Sequence, residues 1–296
     1  VHRRRVQRRR LHAPEQYGSV RQRQQRRDLL PEPRRVFRRD VWTQLHNFNG
    51  PGIYGQHILR QAFFGLSQQV DGFTYFCMSD DRDAIRNIAG NLCTRYGDFF
   101  LTLQKGYKGV GIYYSRTAQY LGPRKPNSVP NQVEGLWVAC MRAGFPADFL
   151  RDDDIASGRA MEYGALFAPG FTYEDECPPK LLAELRRFAN AGKPLFVERS
   201  SRLPVEGAVR LPAELDDYDS KAGYFPKYID FEFESVFDFT EDLTKIVREA
   251  LAKKIEPAAR HNPLVGPDWL KSGDGQYLFV PNFNPAVFSG LYKTLY

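Results

Sequence analysis

The sequence lacks any long apolar run and any close pair of cysteines. No stretch approaches ~18 consecutive apolar residues, and the chain opens on arginines without the apolar core of a secretion signal. The four cysteines, Cys77, Cys93, Cys140 and Cys177, lie far apart with no histidine at ligand spacing. These absences predict no membrane span, no signal peptide, no structural zinc and no disulfide framework, and leave only isolated disulfides open.

Basic charge is confined to the start of the chain. Residues 1–40 contain 14 arginines, no lysine and four acidic residues, a balance of +10, whereas the whole chain carries +7, so the other 256 residues carry −3. We therefore expect no nucleic-acid partner for the folded part. The first residue is Val1 and the first methionine is Met78, so we expect an incomplete N-terminus. An out-of-frame read of GC-rich DNA, a processed leader and a basic binding arm all fit this disordered or non-native segment.

The remaining chain alternates between strand and helix patterns. With 42% hydrophobic residues over 296 positions, it is long enough for one large or two ordinary domains. The alternation predicts an α/β fold with a parallel sheet covered on both faces. The predicted strands lie at 73–76, 110–114, 147–150, 165–168, 195–198 and 275–284. The predicted helices lie at 56–69, 83–103, 133–142, 180–190 and 240–254.

Two segments carry the clearest periodic patterns. Between 180 and 190 the apolar residues Leu181, Leu182, Leu185, Phe188 and Ala189 form a sheet-facing helical stripe. Between 230 and 239 (DFEFESVFDF), phenylalanines alternate with acidic residues. That alternation predicts a strand with one face in water.

Residues 135–200 resemble a known family. The segment combines a helix ending in RAGFP, the acidic run Asp152–Asp154, an APG turn at Ala168–Gly170 and an AGKPL entry to the next strand. These features resemble the amidotransferase-like, or trimerisation, domain of family 42 glycoside hydrolases, the β-galactosidase-like enzymes. In that family the domain follows a (β/α)8 catalytic barrel and precedes a small β-domain.

The resemblance implies a domain order for the whole chain. Residues 41–108 would be the last two βα units of the barrel, residues 109–256 a flavodoxin-like, amidotransferase-like domain, and residues 257–296 the start of the β-domain. It also implies a carbohydrate substrate and a homotrimer in the full-length protein. Loop aromatics would anchor the subunit contacts; they are Phe171, Tyr173, Tyr218, Tyr224 and Phe225.

Retaining glycoside hydrolysis needs two carboxyl groups at strand ends of the barrel. The family's acid/base lies on strand 4, outside this chain, and its nucleophilic Glu ends strand 7. The matching stretch here, WTQLHNFNG, holds no acidic residue, and none occurs between Val41 and Asp71. We therefore assign no catalytic residue in this chain.

Polar residues at the presumed strand ends remain as candidate sugar-binding groups. They are Trp42, Gln44, His46 and Asn47 after strand 7, and Asp80 and Asp81 after strand 8. Trp42 would stack on a sugar face and the aspartates would bind hydroxyls. The alternative is that Trp42 packs the barrel and the aspartates cap the helix that begins near Asp83.

The middle domain shows no complete catalytic motif. Cysteine chemistry needs a thiol after a strand and a histidine partner. The end of the predicted strand at 195–198 and the residues after it are Glu198, Arg199 and Ser200, with no cysteine. Cys177 stands at a helix start, which can lower a thiol pKa, yet it has no base. The run Asp152–Asp154 predicts a solvated loop more readily than a metal site. We expect a catalytically silent domain without metal or cofactor.

The sequence thus favours a C-terminal fragment of a β-galactosidase-like glycoside hydrolase, inactive alone. The alternative is a non-catalytic carbohydrate-binding or oligomerisation protein that reuses the same domain.

We predict that the purified chain does not hydrolyse β-galactosides, because neither carboxyl group of the pair is present. The assay is release of nitrophenolate from a nitrophenyl β-galactoside, with a protein-free blank as control. Turnover above the blank rate would contradict the prediction.

Overall fold

The computed structural model describes residues 42–46, 62, 65–66, 70, 72–76, 82–121, 128–173, 176–215, 233–259 and 268–280. All of them lie in the compact unit Pro31–Tyr296. The strands are β1 (Trp42–His46), β2 (Gly72–Phe76), β3 (Gln104–Lys105), β4 (Val110–Tyr113), β5 (Ala147–Leu150), β6 (Ala165–Phe167), β7 (Leu195–Val197), β8 (Val209–Arg210), β9 (Asp268–Ser272) and β10 (Gly275–Phe279). The helices are α1 (Arg82–Arg86), α2 (Arg95–Thr102), α3 (Arg116–Leu121), α4 (Ser128–Arg142), α5 (Asp152–Ala156), α6 (Pro179–Asn190) and α7 (Phe233–Leu251).

A five-stranded parallel sheet is the centre of the molecule. Its spatial order is β5-β4-β6-β7-β8, and every neighbouring pair is parallel. Strands β4, β6 and β7 are buried along their whole length, as expected for uncharged strands covered on both faces. The expected α/β fold class is therefore confirmed.

Helix α6 covers this sheet as its sequence pattern predicts. Leu181, Leu185 and Phe188 are buried, which is the stripe expected from the 3.6-residue period. Pro179 stands at the first helical position, where its missing N–H removes no helix bond. Gly192 follows the helix end with φ +77°.

The predicted strand at 230–239 is wrong, because helix α7 runs from Phe233 to Leu251. Phe233 and Phe237 are four residues apart, a spacing that places two residues on one face of either a helix or a strand. The helical period continues through Leu243, Val247 and Leu251, which are all buried in the main core. The helix that buries these three residues begins at Phe233, so residues 233–239 are part of it.

Strands β1 and β2 form a separate parallel pair. Trp42 pairs with Gly72 and His46 with Phe76, so the two strands end at the same edge. Parallel strands require a crossover connection. Residues 62, 65 and 66, which lie between them, are helical, and Ala62 and Leu66 are buried.

A small antiparallel sheet of order β10-β9-β3 joins two distant parts of the chain. Strand β9 had no clear sequence signal, whereas β10 begins at the predicted Gly275. Gly273, with φ +54°, lies in the tight turn between them. Leu270 of β9 packs with Ile88, Leu92 and Leu103 in a second hydrophobic cluster.

Residues 82–102 are helical as predicted, but the segment Asn87–Thr94 between α1 and α2 is a π-helix. Ile88, Leu92 and Phe100 are buried, whereas Phe99, which an unbroken α-helical period from Ile88 and Leu92 would bury, is only half-buried. A π-helix has more residues per turn than an α-helix, which moves the buried face along by about one residue. Within the described residues, no helix combines the length and the apolar character needed to cross a membrane.

Gly170→Ala should destabilise the protein more than Gly192→Ala. Both glycines have positive φ, and a Cβ at 170 would lie 2.9 Å from Val129 Cγ2, whereas a Cβ at 192 would meet nothing within 4 Å. Positive φ costs a non-glycine residue about 1–2 kcal/mol, and overpacking adds about 1–3 kcal/mol. Urea denaturation of both variants measures the difference, and equal losses would contradict the steric argument.

Candidate functional site

The carboxyl ends of the parallel strands are the first place to look for a site. In open α/β sheets, ligands bind in the crevice where successive connections leave the sheet in opposite directions. Here β4 lies between β5 and β6, so that point falls between β4 and β6. The chain leaves β4 towards Ser115 and leaves β6 towards Gly170.

Large buried side chains of the protein lie at this crevice. Tyr113 and Phe171 are fully buried, with ring centroids 5.8 Å apart. Gly170 packs closely beneath Val129 of α4. The buried Ser115 hydroxyl accepts the N–H of Ala118 at 3.2 Å and so caps α3. Buried, packed groups therefore lie at the position where such sheets usually bind a ligand.

The acidic run Asp152–Asp154 forms the first turn of α5, so the predicted loop is corrected to a helix start. Asp154 accepts the N–H of Arg151 at 2.9 Å and a guanidinium N–H of Arg159 at 2.7 Å. Acidic residues suit this position because the helix dipole is positive there. Among the residues that the structure describes, no group of three or more potential ligands could hold a metal ion.

Asp152 also accepts a hydrogen bond from the Tyr113 hydroxyl, at 2.9 Å. Burial, with the nearby Asp152 charge, raises the pKa of Tyr113 far above its usual value, so the phenol stays protonated. It serves as a hydrogen-bond donor that ties β4 to the loop after β5.

Cys177 is buried beside this pair and is not an activated thiol. Burial and the Asp152 charge raise the pKa of Cys177 to about 12, although Arg186 acts in the opposite direction. The expectation that a helix start could lower this pKa is therefore wrong, because the loss of hydration on burial raises the pKa. No histidine has a described side chain near it. Cys177 remains a neutral thiol at physiological pH.

Glu198, directly after β7, has a structural position that the sequence did not predict. Its side chain is fully buried, Oε1 accepts the N–H of Gly170 at 3.1 Å, and Oε2 accepts that of Leu215 at 3.4 Å. The carboxylate fastens the loops on either side of β7. The only sequence signal was an acidic residue directly after an apolar strand.

The neighbouring loop carries a second, more exposed carboxylate. Glu214 accepts hydrogen bonds from the Ser200 hydroxyl at 2.6 Å and from Arg199 Nε at 3.1 Å. Partial burial acts to raise the pKa of Glu214, but the Ser200 hydrogen bonds and Arg199 outweigh it and lower that pKa. This group is an ionised loop anchor.

The sugar-binding candidates fall at the edge of the described structure. Trp42 and Gln44 lie two residues apart on β1, opposite Gly72 and Thr74 of β2, so they share one face of that strand. Asn47, Asp80 and Asp81 lie outside the described residues. His46 also lies on β1, opposite Phe76. Whether the six groups form one site stays a prediction.

Of the five aromatic residues expected at subunit contacts, the structure describes two. Phe171 is buried under Tyr113, so its assignment as an exposed anchor is wrong. Tyr173 is 50% exposed, as expected, and Phe149 on the edge strand β5 is 42% exposed beside Trp137. The other three, Tyr218, Tyr224 and Phe225, lie outside the described residues.

Several polar groups at the described carboxyl edge hold loops and a helix start in place. Glu198 accepts backbone N–H groups, Asp152 accepts the Tyr113 hydroxyl, Glu214 accepts Ser200 and Arg199, and the Cys177 thiol is protonated. No protein-family model matches the chain, and no curated protein matches it either. Function is therefore inferred from the residues and their arrangement.

Iodoacetamide should alkylate Cys93 in the native protein and leave Cys140 and Cys177 unmodified. Burial raises the pKa of all three thiols, but only Cys93 is exposed, so only its sulfur is accessible to the reagent. Raising the pH to about 10, above the ordinary thiol pKa of about 8.5, should accelerate only exposed thiols. Peptide mapping by mass spectrometry gives the result, and denatured protein is the control. Native alkylation of Cys177 at the Cys93 rate would contradict this assignment.

Proposed function

We propose that residues 109–256 form the flavodoxin-like, amidotransferase-like domain of a β-galactosidase-like glycoside hydrolase of family 42. The strand order carries this proposal. Counted along the unit, the order β5-β4-β6-β7-β8 is 2-1-3-4-5, which is the flavodoxin-like order. Helices connect β4 to β5, β5 to β6 and β6 to β7, which fits the same arrangement, whereas residues 198–208 between β7 and β8 contain no helix.

The elements on either side support the same domain order. Before this unit stand the parallel strands β1 and β2 with helical residues between them, as two βα units at the end of a barrel would be arranged. After it come β9 and β10, an antiparallel hairpin suited to the start of a β-domain. In this proposal the chain is the C-terminal part of the enzyme and is inactive alone.

The carbohydrate role belongs to the β1 and β2 region in this proposal. Trp42 offers an aromatic face for a sugar ring, and Gln44 lies on the same face of β1. Asn47, Asp80 and Asp81 complete the hydrogen-bonding set in the full-length enzyme. The catalytic carboxyl pair comes from elsewhere in that enzyme.

The α/β unit is proposed as an assembly domain that builds a homotrimer. The buried side chains at its crevice and the protonated Cys177 support a role outside catalysis. Tyr173 and Phe149 supply exposed aromatic surface, which is enriched where subunits meet.

Light scattering on the purified chain tests the assembly role. We expect a species of three times the chain mass of 34.1 kDa at micromolar concentration. Tyr173→Ser and Phe149→Ser should shift it towards the monomer, because each removes an aromatic anchor. Tyr96→Ser is the matched control, since Tyr96 is similarly exposed but lies on α2, outside the unit.

A wild-type chain that stays monomeric at micromolar concentration would reject the assembly role. Equal dissociation of all three variants would likewise reject the assignment of the contact to the α/β unit. Circular dichroism of each variant verifies that the fold is retained.

A further inference from the structure

We propose that a cluster of four charged side chains, of which two are buried, makes the parallel sheet and the antiparallel sheet unfold as one cooperative unit. The cluster, called here the inter-sheet cluster, consists of Lys105, Lys108, Asp148 and Asp268. It acts as a positioning device that holds the α/β unit in one orientation on the antiparallel sheet. This inference does not depend on the assembly role.

The chain path brings both ends of the α/β unit to one place. The chain leaves the antiparallel sheet at β3, builds the α/β unit and returns at β9. Strands β3 and β9 pair with each other, with Lys105 opposite Leu270. The unit is therefore an insertion whose entry and exit are adjacent strands.

The entering segment 106–109 hydrogen-bonds on both sides of this joint. Gly106 donates its N–H to Trp269 O at 2.7 Å, which extends the β3–β9 pairing. On the other side, the carbonyls of Lys108 and Gly109 accept the N–H groups of Gly164 (3.0 Å) and Ala165 (2.8 Å). One short segment thus contacts both sheets.

The returning segment is held beside it. The Tyr107 hydroxyl donates to Glu256 O at 2.6 Å, and Trp269 Nε1 donates to Ala258 O at 2.6 Å. Ala258 in turn donates its N–H to Gly144 O at 2.9 Å. Both connections of the α/β unit are therefore tied together at the same end.

The inter-sheet cluster lies within this joint. Lys105 Nζ forms an ion pair with Asp268 of β9 and lies 3.9 Å from Asp148 Oδ1 of β5. Lys108 Nζ lies 3.6 Å from Asp148 Oδ2, which also accepts the Tyr163 hydroxyl at 3.0 Å. The side chains of Lys105 and Asp268 are only 4% and 0% exposed. Charge pairing therefore runs from one sheet to the other through buried groups.

The charges of the inter-sheet cluster predict a distinctive response of stability to mutation. Its two ammonium groups and two carboxylates balance, so replacing one member leaves a buried imbalance. Replacing one cation and one carboxylate together restores the balance, and buried pairs are commonly replaceable by neutral groups. Two independent sites would show additive losses instead.

Hydrogen exchange followed by mass spectrometry on the full chain tests the proposal. In wild type, peptides of β9–β10 and of β4–β5 should lose protection at the same denaturant concentration. In Asp268→Asn or Lys105→Met, the β9–β10 peptides should lose protection first, and their exchange should accelerate by about 100-fold. The double variant K105M/D268N should exchange more slowly than either single variant.

The matched control is the exposed pair formed by Arg187 and Glu184, whose side-chain atoms lie 3.2 Å apart. Arg187→Met should leave exchange within about twofold of wild type, because exposed pairs contribute little. If a variant of Asp268 does not fold, Lys108→Met replaces it, since that side chain is 25% exposed. It should show the same order of protection loss with a smaller acceleration.

Two results would overturn the proposal. One is exchange in Asp268→Asn or Lys108→Met within about twofold of wild type, as for the exposed pair. The other is a double variant whose loss of protection is the sum of the two single losses, because additive losses mean that the charges do not act together.

Discussion

The burial of strand β4 is the constraint on which the α/β unit depends. Val110, Ile112 and Tyr113 are all but fully buried, and β5 and β6 pair with this strand on its two sides. Buried backbone N–H and C=O groups must be hydrogen-bonded. Pairing with β5 and β6 supplies these hydrogen bonds in β4. Gly111 permits close contact here, because a Cβ would lie 2.7 Å from Leu150 Cδ1. The helices then cover the apolar faces that this arrangement creates.

The same tight packing decides what the carboxyl edge does. At the point where an open sheet would bind a ligand, Tyr113, Phe171 and Val129 occupy the space. Buried acids survive there because each is hydrogen-bonded, as Glu198 is to two backbone N–H groups. The edge thus uses its polar groups to hold loops.

The connection between the two sheets follows another physical logic. Hydrophobic contact holds each sheet to its own helices, through two separate buried clusters. Between them lie charged and hydrogen-bonded groups, which are directional and so specify orientation. Lys105 of β3 joins both, since its backbone belongs to one sheet and its ammonium group faces carboxylates of each.

The sequence by itself determined the elements whose pattern is local. The α6 stripe, the apolar strands β4, β6 and β7, and the alternation of strand with helix were all readable, because burial of one face repeats at the period of the element. Features that depend on residues far apart in the chain are visible only in the tertiary structure. Residues 233–251 form helix α7 and no strand, because Leu243, Val247 and Leu251 are buried in the core. Phe171 is buried because it packs against Tyr113. The pKa of Cys177 followed burial, which chain position does not encode. The contact of Lys105 with Asp268, 163 positions apart, exists only because a whole α/β unit folds between them.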